Sequence, residues 1–250
     1  LVNSAGKEKA QRFSNIDCQE LLKELGNRHA LRREDAARAI GLNRCQESVP
    51  KLIRRLKDRK HRVRAAAARA LGQLGDYSAT LHLSRMMLKD NDGWVRGVAA
   101  EALVWLRDPS STESLVKSLE DLSERVRGLG AKALAQIDDP QTALHLIEML
   151  ADASVYVRES AFESLERLLK GRSLVVLLDA TKHHHHFVRQ QAARLMGLLG
   201  DIQVAPTALT LIEDESAEVR AEIIRTLGRL EYNRALNSIR IAMADSHEIV

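Results

Sequence analysis

Val63-Arg64-Ala65-Ala66-Ala67-Ala68-Arg69-Ala70-Leu71-Gly72-Gln73-Leu74-Gly75 decides the fold. Apolar and small side chains recur through it at helical spacing, and Gly75 closes it where a helix would end. The Val-Arg pair that opens it returns at Val95-Arg96, Val126-Arg127, Val157-Arg158, Val188-Arg189 and Val219-Arg220, at spacings of 32, 31, 31, 31 and 31 residues. One period earlier stands Arg32-Arg33, and one period later Val250. A fixed period of this length means units that bury their apolar faces only by stacking on neighbours.

Each such run is the second helix, B, of a hairpin. A shorter amphipathic helix A precedes it, as from Thr142 to Leu150, often entered through a proline (Pro50, Pro109, Pro140, Pro206) that suits a first helical turn. Aromatics make up only 3% of the chain, too few to pack sheets. The expectation is therefore an all-α solenoid of about seven hairpins with a period near 31 residues. It forms a single domain over 1–250, with 1–26 as a helical lead-in and repeats from about residue 27. The last repeat stops at Val250 as its helix B begins, which reads as a piece of a longer chain.

No apolar run reaches the roughly 20 residues that span a bilayer. Cys18 and Cys45 are far apart in sequence and form no CxxC, so the expectation is two unpaired thiols and a reducing, cytoplasmic setting. The net charge of +4 is mild and mostly interspersed. One excess stands out between Lys51 and Arg69, where Lys51, Arg54, Arg55, Lys57, Arg59, Lys60, Arg62, Arg64 and Arg69 face a single Asp58. It reads either as a solvated charged hairpin or as a surface for an anionic partner.

An Asp stands five residues before the Val in most units, as Asp58, Asp90, Asp121, Asp152, Asp214 and Asp245. Because it recurs with the Arg of each pair, stacked units are expected to join Asp to Arg along their seam, which makes Arg64, Arg96, Arg127, Arg158, Arg189 and Arg220 structural. Asp92, Ser123, Ser154 and Ser216 are placed to cap the B helices.

The pattern Asp-x4-Val-Arg-x2-Ala-Ala-x-Ala-Leu-Gly-x-Leu-Gly-Asp resembles the HEAT-like repeats named after phycobilin lyases, over about residues 27–250. That resemblance implies the solenoid fold and B helices lining an inner, concave wall. On function it implies little, since such repeats occur in lyase subunits and in scaffolds. Deoxyhypusine hydroxylase, another relative, holds iron with several His-Glu pairs, whereas here only His247-Glu248 occurs and that activity is not implied.

Other chemistry is sparse. His183-His184-His185-His186 reads as a polar turn rather than a metal site, because adjacent residues do not converge on one ion. No phosphate loop or nucleophile elbow is present in the sequence, so neither a cofactor, a metal nor a catalytic residue is expected.

Function then falls to a surface. Positions one before the Val and three, six and ten after it share a stripe of helix B. In the third repeat the stripe reads Trp94, Val98, Glu101, Trp105; further along it supplies Leu129, Lys132, Tyr156, Arg167, Phe187 and Arg194. Four of the chain's eight aromatics lie there, and aromatics with Arg are the usual anchors of an interface. The expected function is a non-catalytic scaffold that grips an acidic-aromatic or amphipathic protein segment. Nucleic-acid binding through residues 51–69 and inner arginines is the alternative, although Glu101, Glu163, Glu218 and Glu222 break the positive path. A bilin-lyase-like enzyme subunit, by resemblance, is a second alternative.

Overall fold

The computed structural model describes residues 17–172 and 174–242. Asp245, His247-Glu248 and Val250 lie outside them, as does most of the expected lead-in. The described residues hold fifteen α-helices and no strand. They are α1 (Cys18–Glu24), α2 (Ala30–Leu42), α3 (Val49–Arg55), α4 (His61–Leu74), α5 (Thr80–Lys89), α6 (Gly93–Leu106), α7 (Thr112–Ser118) and α8 (Glu124–Ile137), then α9 (Ala143–Glu148), α10 (Val155–Leu169), α11 (Val175–Ala180), α12 (His186–Leu199), α13 (Ala205–Thr210), α14 (Ala217–Arg229) and α15 (Leu236–Ala242). Odd-numbered helices are the short A members and even-numbered ones the B members, an α-solenoid of helix hairpins. Two compact units divide after Ile137, and each is built alike. In the first, α1 packs on α2, so a hairpin partner lies within the segment read as lead-in.

The B helices bury three successive turns. Val63, Val95, Val126, Val157, Val188 and Val219 are fully buried, as are Leu71, Leu134, Leu165 and Met196 two turns on. Rows at the Val, four after it and eight after it thus pack against the A helices. A second buried face meets the neighbouring B helix, and there the backbones come close. A methyl group on Gly72 of α4 would stand 2.8 Å from the Ala102 backbone of α6 and from the Trp105 ring. A methyl on Gly197 of α12 would stand 2.9 Å from Thr226 of α14. A larger residue at either place would force the helices apart. Gly75 and Gly200 end α4 and α12 in the left-handed conformation (φ 73° and 75°), which glycine adopts without strain.

The seams are joined by paired charges. Arg33 Nε and Nη2 donate to both oxygens of Asp58 at 2.8 and 2.9 Å. Arg64 does the same to Asp90 (2.7 and 2.7 Å), Arg96 to Asp121 (2.7 and 2.9 Å) and Arg189 to Asp214 (2.7 and 2.8 Å). The remaining nitrogen, Nη1, donates to the carbonyl six residues earlier in its own repeat, at Asn27, Asp58, Asp90, Asp121, Asp152, His183 and Asp214. Each Asp also accepts the N–H two residues on, at Lys60, Asp92, Ser123, Ser154 and Ser216. This last contact corrects the capping expectation. Asp92 does accept from Trp94 and Val95, but Ser154 and Ser216 make no side-chain cap.

His183 stands where Asp58, Asp90, Asp121, Asp152 and Asp214 stand in their repeats. Its Nδ1 takes over the local bond, accepting the His185 N–H at 3.1 Å, but it offers no second oxygen to the preceding Arg158. Arg158 keeps its bonds to Asp152 and Ala153 carbonyls and lies over the Phe187 ring instead, 5.4 Å from its centre.

A second correction concerns the cysteines. Cys18 at the start of α1 and Cys45 in the turn before α3 are disulfide-bonded across 27 residues, with Cα atoms 5.7 Å apart. Docking of α1 on α2 brings them together, which no local motif announces. The reducing setting inferred from unpaired thiols loses its basis.

Burial alone would raise the carboxyls of Asp58, Asp121 and Asp214, but the bonds from Arg33, Arg96 and Arg189, the backbone N–H and the adjacent guanidinium charges outweigh it and hold all three below the usual range. A depressed carboxyl stabilises the fold fully above its unfolded value and loses that contribution as pH falls through its folded value. Melting temperature should therefore drop as pH falls below about 4, where these carboxyls take up protons. A melting temperature flat through that acid range would contradict the pairing. His183→Asp should restore a bidentate partner to Arg158 and raise stability by about 1 kcal/mol, since the nearby Glu148 is exposed and its repulsion screened. An unchanged or lower unfolding midpoint in urea would show that this seam is not poised to pair.

Candidate functional site

The outward residues of the B helices fall into rows whose exposure follows from helix geometry. At about 100° per residue, positions one before the Val and six and ten after it lie about 80° to 120° from the buried Val row, whereas the position three after lies only about 60° away. That position is turned into the seam with the next B helix. Val98 there is fully buried, which removes it from the expected partner-facing stripe, and Ala66 and Ser160 share its fate.

The other stripe residues divide by unit. In the first unit Trp94 and Trp105 are both 41% exposed, eleven residues or about 16 Å apart along one side of α6. Trp94 meets the His61 ring edge-on at 6.0 Å, and Trp105 lies across Gly72 of α4. Between them Glu101 accepts from Arg69 at 3.1 Å, with Arg125 at 3.6 Å on its other side. Leu129 and Lys132 on α8 are half-buried.

In the second unit Tyr156, Arg167 and Arg194 are exposed and Phe187 is half-buried. A cleft of about 450 Å³ opens between α10 and α12. Phe162 and Phe187 line it, with Arg194 4.7 Å over the first ring and Arg158 over the second. Glu159 and Glu166 stand on one wall, Gln191 on the other, and the exposed Val155 at one end. Guanidinium over a ring is a favourable contact that also keeps a flat apolar surface near water.

Phe162, Val155 and Glu159 were absent from the expected stripe. Phe162 stands five after its Val, and what makes it surface chemistry is the Arg194 that reaches it from the following hairpin. The spacing of Phe162 and Arg194, one period plus one residue, was the available signal. Of the ladder set, Arg64, Arg96, Arg189, Asp58, Asp90, Asp121 and Asp214 are brought into the inter-repeat pairs. Arg127, Arg158, Arg220 and Asp152 take the same local backbone bonds. The four histidines 183–186 stack in pairs, His183 on His184 and His185 on His186, and do not converge on a point. Burial first, then repulsion from the surrounding cluster of His186, His184, His183 and Arg189, pushes the His185 imidazole below its ordinary value. Among the described residues no helix is long and apolar enough to cross a membrane.

No curated protein matches the chain. Among solved structures it is similar to the complex of CpcE and CpcF of phycocyanin lyase from Nostoc sp. PCC7120, at 20% identity, covering 91% of this chain and 95% of that one with a TM-score of 0.57. It is also similar to the YibA protein of E. coli (22% identity, 100% and 95% coverage, TM-score 0.58) and to an engineered protein (19%, 94% and 76%, 0.53). Likeness at these identities concerns the fold. The model of HEAT repeats matches residues 18–104, 87–166 and 174–250, nearly all of the described chain. The chain belongs to the HEAT-repeat family.

Proposed function

We propose that the chain is a non-catalytic scaffold that holds a protein partner on the outward rows of its B helices. The observation that carries this reading is the Trp94–Trp105 pair. Two of the largest apolar side chains in the protein stand on one side of one helix with 41% of their surface in water, where the repeats on either side have Arg62 and Gln73 or Arg125 and Gln136. The fold tolerates polar residues at these places, so the rings are not needed for stacking, and exposed Trp beside Arg is the composition of an interface anchor. The cleft of the second unit adds Phe162 and Phe187 in the same style. Its floor and walls suit side chains of a protein segment, within the size range of sites that take a few groups.

A lyase-subunit role is the second reading, favoured by the likeness to the phycocyanin lyase pair. That relative is itself a complex of two proteins, so both readings place a protein partner on this fold.

The two tryptophans are the only ones in the chain, so intrinsic fluorescence reports on this site alone. Both should be quenched by acrylamide in the free protein. Trp105→Ala should keep the melting curve close to wild type while weakening capture of its partner by roughly 2 kcal/mol. Equal capture by the variant, or tryptophans closed to the quencher, would defeat the reading.

A further inference from the structure

The first unit carries a second opening that the aromatic rows do not use. A cleft of about 530 Å³ lies where the N-terminal ends of α2 and α4 come together. Ala30, the 63% exposed Leu31 and the buried Val63 make its floor, and Arg59, Lys60 and Arg62 its rim. All three rim cations are exposed, and none meets a carboxylate among the described residues. Their neighbours in the basic run differ. Arg64 is held by Asp90, Arg55 lies 3.6 Å from Asp58, and Arg69 is bound to Glu101. The one acid of the cleft, Glu34, is buried and paired with Arg38 on its own helix.

The surroundings add to the same sign. Neither His29 nor Lys60, the residues that cap α2 and α4, makes a side-chain cap, and the carboxylate nearest the start of α4, Asp58, is already held by Arg33. His61 lines the cleft and binds Asp92 at 3.1 Å on its far side, which leaves its ring against Trp94.

The geometry points to this cleft as a docking site for an acidic segment of a partner protein, one that places an aliphatic or aromatic side chain on Leu31 and flanking carboxylates on Arg59, Lys60 and Arg62. The inference rests on the protein-binding reading and gives the partner a chemistry. Charge complementarity selects the acid, since every ionisable group of the cleft apart from the neutralised Glu34 and the His61 tied to Asp92 is an unpaired cation. The aliphatic floor selects a protein over a nucleic acid. A base would need a flat ring to stack on, and the only nearby indole stands beyond His61, with Asp92 interrupting the path a phosphate chain would follow.

Fluorescence anisotropy on the full chain tests it with three labelled probes. They are a short peptide of Asp and Glu around a Phe-Leu pair, the same peptide with Lys in place of the acids, and oligothymidylate. The acidic peptide should bind and the Lys peptide should not. The double variant Arg59→Glu, Arg62→Glu should weaken it by about tenfold or more, and Leu31→Asn by several-fold. These residues are exposed, and circular dichroism should show the helices unchanged. Trp105→Ala should leave this affinity as it is. Affinity unchanged in both cleft variants would overturn the proposal, as would no binding of the acidic peptide. Tighter binding of oligothymidylate, lost in the double variant, would replace it by a nucleic-acid site. Loss on Trp105→Ala alone would move the peptide to the B-helix row, ending this inference while sparing the scaffold reading.

Discussion

A guanidinium at each described Arg–Asp seam is held by three acceptors, the two carboxylate oxygens of the next repeat and one carbonyl of its own. The carbonyl fixes where the Arg points before the neighbour arrives, and the carboxylate is fixed in turn by the N–H two residues on. Both partners are therefore preorganised, which lowers the entropy lost on pairing. The pairs are largely shielded, with side-chain exposures of 8–17% for the Arg and 3–12% for the Asp. Shielding keeps the attraction strong and makes loss of one partner expensive, because the other charge stays buried.

With register set this way, apolar rows can be simple. Val and Leu or Met fill the space between A and B helices, and glycine or alanine lets successive B helices approach. The rows one before the Val and six and ten after it then lie outside the repeated apolar and Arg–Asp seams. They are free to differ between repeats, and here they carry indoles, phenols, Arg and Glu. The break at His183 belongs to the same logic. Without a carboxylate to hold it, Arg158 covers Phe187, and the cleft of the second unit opens beside that seam.

How much of this could be read from residues alone follows from range. The period, the B helices and the Arg and Asp of each repeat were legible because they are local and repeated six times over. The burial of Val98 was not, because a helical wheel treats one helix in isolation and the seam face depends on how the next helix lies. Phe162 was missed for a related reason, since its cover, Arg194, comes from another hairpin. Cys18 and Cys45 looked independent because only the docking of α1 brings them together. The unpaired rim of the α2–α4 cleft was visible as a basic run, yet which of its nine cations are neutralised is a tertiary fact.

The claim that paired charges set the stacking is tested most directly by a double-mutant cycle on Arg64 and Asp90. Arg64→Ala, Asp90→Ala and the double variant would be unfolded in urea alongside the parent chain. The coupling energy should be about 2 kcal/mol, with each single variant nearly as damaged as the double one. Additive effects, with a coupling near zero, would contradict it and leave the apolar seams alone to hold the repeats together.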